Sequence, residues 1–103
     1  MALMQVTIIP LGTKSTSLSK YVADIQDALE KENAIFELND MGTTIQGEAN
    51  ELLTLAAKIH DLPFQKGAQR VVTQIVLDDR RDRKVALGDK VAAVREHLKK
   101  SSS

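Results

Sequence analysis

The sequence predicts an α+β fold, a ferredoxin-like βαββαβ sandwich with an extra C-terminal helix and a four-stranded antiparallel sheet. Three observations predict it. Short segments with a two-residue apolar period, such as Gln5-Val6-Thr7-Ile8-Ile9, alternate with longer ones of helical period, such as Leu18, Val22, Ile25 and Leu29. Turn residues Asn39-Asp40-Met41-Gly42 join the second and third strand segments as a hairpin. Right-handed crossovers then put both main helices on one sheet face.

The first strand is Gln5 to Ile9, with Pro10 and Gly12 as its stop. The loop Thr13 to Ser17 is rich in hydroxyls, and Ser17 is the best N-cap for a helix running to about Asn33. This loop and Ser19 can also cradle an anion at the helix start, although caps and a solvated loop are the better reading. Ile35 to Leu38 forms strand two and Thr43 to Gly47 strand three. Ala49 to His60 forms the second helix, with Leu52, Leu55, Ala56 and Ile59 as its buried stripe and Asp61-Leu62-Pro63 and Gly67 as its exit. Strand four is Arg70 to Leu77, and a charged turn from Asp78 to Lys84 leads to a last helix. Its residues Leu87, Val91, Val94 and Leu98 repeat the spacing of the first helix and call for an apolar surface to pack on.

Strand parity assigns Val6, Ile8, Phe36, Leu38 and Ile45 to the helix side. Gln5, Thr7, Ile9, Glu37, Asn39, Thr44 and Gln46 then face the open side, a mixture of apolar, hydroxyl and amide groups. Strand four is apolar on both faces, as expected of a strand covered on both sides. A second copy of the chain over the open face is the expected cover, so a homo-oligomer is predicted.

With 103 residues the chain is a single domain, and residues 101–103 are expected to be a disordered tail. Lys plus Arg and Asp plus Glu each number 14, so net charge draws the chain neither to nucleic acid nor to an anionic membrane. It has no Cys, which removes disulfides and thiolate chemistry and agrees with a reducing cytoplasm. Met1 to Pro10 lacks the pattern of an export signal, and no apolar run spans a bilayer.

Covalent chemistry finds no support. There is no HExxH, P-loop or GxSxG motif, and no metal or cofactor is expected. His60 and His97 each stand near a predicted helix end, where an imidazolium meets the negative end of the dipole. Asp78, Asp79 and Asp82 interleave with Arg80, Arg81 and Arg83, a pattern of mutual neutralisation or of an interface seam more than of cation binding. What remains is a set of uncharged donors and acceptors suited to a small polar ring: Thr7, Asn39, Thr44 and Gln46 on the open face, with Thr73 in the fourth strand.

Five segments, Ile9-Pro10-Leu11-Gly12-Thr13, Ser17 to Ala23, Met41-Gly42-Thr43, Arg70-Val71 and Asp78 to Asp82, together resemble the small thiamine-binding protein family, related to YkoF-like proteins. The resemblance spans Val6 to Leu98. It implies sheets joined into dimers and then a tetramer, and non-catalytic binding of thiamine or its hydroxymethylpyrimidine portion at a subunit interface. Gln46 stands where the family more often has an acid, so hydrogen bonding is kept and charge is lost; charge-assisted bonds are roughly twice as strong as neutral ones. Glu37, on the face of Asn39, is the alternative anion. The competing reading is a structural or regulatory oligomeric module that binds another small molecule or an anion.

Overall fold

The computed structural model describes residues 1–12 and 18–101, so the hydroxyl-rich loop and its Ser17 cap lie outside the described residues. The elements are β1 (Ala2–Leu11), α1 (Ser19–Lys31), β2 (Ile35–Asn39), β3 (Gly42–Gly47), α2 (Ala49–Gln65), β4 (Arg70–Asp79) and α3 (Asp89–Ser101). The sheet order is β2-β3-β1-β4, and all three neighbouring pairs are antiparallel. This is the predicted sandwich.

Parity places the core as expected. Ala2, Met4 and Val6 of β1 and Ile45 of β3 meet Ile25 and Leu29 of α1 and Leu52, Ala56 and Ile59 of α2, all buried. Each such side chain contributes about 1.5–3 kcal/mol of burial for the larger aliphatics. Both helices end the same way: Asn33 (φ 55°) and Gly67 (φ 99°) are left-handed. Ala34 N–H then reaches Leu29 O, and Ala68 N–H reaches Pro63 O, each at 3.0 Å.

Two expectations need correction. β1 does not stop before Pro10, which pairs with Val71 inside the strand. The pairing of β1 with β3 ends at Val6–Thr43, so beyond it β1 has a neighbour on one side only, the setting that tolerates a missing N–H. α2 does not exit at Asp61 but continues through Pro63, which is fully buried. A proline within a helix costs roughly 3 kcal/mol; here the burial of its ring and the Gly67 cap offset that.

β4 is an edge strand with Ile75 and Val76 exposed, so the cover expected over its open face is not supplied by the chain itself. Likewise, α3 finds no apolar bed within the chain. Val91, Val94 and Leu98 are each more than half exposed. Only the segment leading into α3 covers sheet: Val85 is buried, and Leu87 N–H donates to Gln46 Oε1 at 2.8 Å.

Candidate functional site

Strand pairing sorts the predicted site residues into rows. On the open face Glu37 lies beside Thr44 and Thr44 beside Gln5, while Gln46 lies between Ile35 and Leu3. Thr73 does not join them. It sits opposite Ile8 on the helix side, where its hydroxyl shares a 2.6 Å hydrogen bond with His60 Nδ1. That bond also corrects the reading of His60 as a helix-end cap: α2 runs five residues past it, and its ring packs edge-on against Phe64, with centroids 5.5 Å apart.

Three of the other five are already engaged. Thr7 Oγ1 donates to Met41 O at 2.9 Å, and Asn39 Oδ1 accepts from Met41 N–H at 3.0 Å, so the two side chains clamp both polar groups of one turn residue. Gln46 holds the approach to α3. Only Glu37 and Thr44 have no hydrogen bond among the described residues.

Of these two residues, Glu37 borders a cavity of about 630 Å³ against Val91, Arg95 and Glu96 of α3, and a more apolar concave space lies at the other end of the hairpin. Where β1 continues past the start of β3, a wedge opens between the end of β1, the β2–β3 hairpin and the first turns of α1. It is a cavity of about 710 Å³, within the range of small-molecule sites. Ile8, Ile9, Val22 and Leu38 supply apolar wall, Thr7 and Asn39 stand at the hairpin side, and Asp40 is exposed at the mouth. Two further polar residues line it. Thr43 is buried, and Gln26 Nε2 donates to Thr43 Oγ1 at 3.1 Å.

Gly42 permits the clamp that shapes this wall. A Cβ there would come within 2.7 Å of Thr7 Oγ1 and 2.9 Å of Val6 O. Sequence reasoning passed over Gln26, although a signal existed: it stands four residues after Val22 and three before Leu29, a polar residue on the buried side of an amphipathic helix.

The charged turn after β4 neutralises itself as expected, through Arg80–Asp82 (2.6 Å), Arg81–Asp79 (2.9 Å) and Lys90–Asp78 (3.2 Å). The hydrogen bond from Arg80 holds the Asp82 carboxyl below the usual carboxylate range. Among the described residues no three His, Asp or Glu gather as a metal site requires, and no helix is long and apolar enough to cross a membrane. Another cavity of about 570 Å³ at the far end of α1 is flanked by the Lys58–Glu32 ion pair (3.0 Å). Of the predicted residues only Gln46 borders it.

Comparison with known proteins adds an independent line. A family model described as thiamine-binding protein matches residues 4–95. The UPF0045 protein YqgV of Bacillus subtilis is 47% identical over 102 residues, covering 95% of this chain and 98% of that one. The solved structure of MJ1052 from Methanocaldococcus jannaschii superposes with a TM-score of 0.79 at 33% identity, over 92% of this chain and 96% of that one. TM0486 of Thermotoga maritima, named as a candidate thiamine biosynthesis/salvage protein, shares the fold at a TM-score of 0.74 and 16% identity, over 90% and 97% of the two chains.

Proposed function

The chain belongs to the thiamine-binding protein family, and from that membership we propose that it binds thiamine or its hydroxymethylpyrimidine portion, without covalent chemistry, in the cavity between α1 and the β2–β3 hairpin. One observation carries the choice of site. Three of the five segments that bear the family resemblance, at Ile9-Pro10, at Leu18 to Ala23 and at Met41-Gly42-Thr43, converge on this cavity from separate elements. Its apolar walls suit the faces of a planar ring, and its uncharged polar groups suit a ring edge with both donors and acceptors. Thr7 and Asn39, engaged with Met41, serve the ligand by shaping the hairpin wall, and Asp40 is the one carboxylate among the described residues lining the cavity, available to a cationic ring.

Isothermal titration of the folded protein with thiamine, and separately with hydroxymethylpyrimidine, tests the proposal. Saturable binding is expected for at least one of them. Ala23→Trp is expected to abolish it, because Ala23 is exposed on α1 yet lines the cavity, so the indole fills space without disturbing the core. Absence of binding by the wild type, or full binding by Ala23→Trp, overturns the assignment.

A second reading is favoured by the apolar surface at Ile35, Val76, Val91 and Val94, each more than half exposed. This surface supports a homodimer or homotetramer that buries the open face, with Glu37 and Thr44 completing a ligand pocket at the subunit boundary. Under that reading Thr44→Val weakens binding; under the cavity reading it leaves affinity unchanged. The absence of charge attraction to nucleic acid and a cytoplasmic setting belong with either reading as expectations.

A further inference from the structure

We infer that Gln26 is the specificity-determining residue of this cavity, its side-chain amide reading the edge of an aminopyrimidine where an amine adjoins a ring nitrogen. The inference rests on the binding reading above and adds to it the atoms that recognise the ligand. Gln26 Nε2 donates one hydrogen to Thr43 Oγ1 at 3.1 Å, while Gln26 Oε1 is buried without a hydrogen-bond partner among the described residues. Buried side-chain oxygens are rarely left so.

Turning the amide over does not remove the mismatch. The Thr43 hydroxyl can donate to Oε1 instead, but Nε2 is then the stranded end. Either orientation leaves half of a planar donor–acceptor group unused by the protein, beside a cavity that Gln26 and Thr43 both line.

An aminopyrimidine supplies the complement. Its amine donates to Oε1, and its neighbouring ring nitrogen accepts the second Nε2 hydrogen, while the first stays on Thr43. All three groups are then satisfied in one plane, and no charge is buried. A ring of the same shape with a methyl group in place of the amine leaves Oε1 unmatched.

The test is calorimetric titration of the folded full-length protein with 4-amino-5-hydroxymethyl-2-methylpyrimidine and with the analogue whose amine is replaced by methyl. The wild type is expected to prefer the amine by roughly tenfold or more, the effect of hydrogen bonds made in a buried site. Gln26→Leu is expected to bind both rings alike, at the affinity of the wild type for the methyl analogue, and to remain folded near the wild-type unfolding temperature, because removal of the stranded acceptor offsets the Thr43 hydroxyl's loss of its partner. If leucine disturbs the packing, Gln26→Ala reads the same preference. A Gln26 variant that keeps the preference for the amine overturns this inference and leaves the binding reading intact. A wild type that binds neither ring overturns both.

Discussion

Gly42 shows how a single residue governs the site. Its lack of a side chain lets β1 approach the hairpin closely enough for Thr7 and Asn39 to hold Met41 from both sides. Gly42→Ala is expected to destabilise the fold by about 1–3 kcal/mol, the range for local backbone strain. Urea unfolding measures this, and an unchanged midpoint contradicts the argument. Thr73 teaches the opposite lesson: its polar character suggests a ligand, but its neighbour is His60 of α2. Thr73→Val should lower stability by about 1 kcal/mol, the net worth of a typical hydrogen bond, and leave ligand affinity untouched in the titration. Gln26 was hidden for a related reason. Composition and spacing count a glutamine as polar wherever it stands, whereas its role depends on Thr43, seventeen residues away and on another element.

Elements owe their ends to their neighbours. β1 outruns β3, and this difference in length opens the cavity. α2 continues through Pro63 because the buried ring and the glycine cap outweigh the local preference to stop. The turn after β4 is held by its own ion pairs, and its pH response follows from Asp82. Its carboxyl titrates lower in the folded chain, so the stabilisation is present at neutral pH and lost as pH falls through that depressed value. Both partners are exposed, so the effect is small and screened by salt. A small stability difference between wild type and Asp82→Asn at pH 7 should vanish at pH 2; one that persists assigns the effect to something other than ionisation.

The whole molecule is elongated, 53 × 31 × 21 Å. The nine-residue core cluster contains no residue of α3 or β4, while Ile75, Val76, Val91 and Val94 are exposed. If a second copy covers these residues, Val91→Ser with Val94→Ser should reduce the mass measured by light scattering. The unfolding of the separated chain should change by no more than about 0.5 kcal/mol, as for ordinary surface changes. A mass unaffected by the double substitution places the subunit contacts elsewhere.

The order of strands and helices, the side of the sheet that residues of the first three strands face, the hairpin and the family were all legible in the amino-acid sequence. Periodicity and turn chemistry are local properties, and the quoted segments carry their own signature. The rest required three dimensions. That Thr73 faces α2, that Thr7 and Asn39 are engaged with Met41, and that Gln26 meets Thr43 beside a cavity all depend on distances between residues far apart in the chain. A repeating apolar stripe in α3 states that a face seeks cover without stating what supplies it. Sequence pattern fixes which face is apolar through the geometry of the backbone, while packing decides which polar atoms find partners and which are left for a ligand.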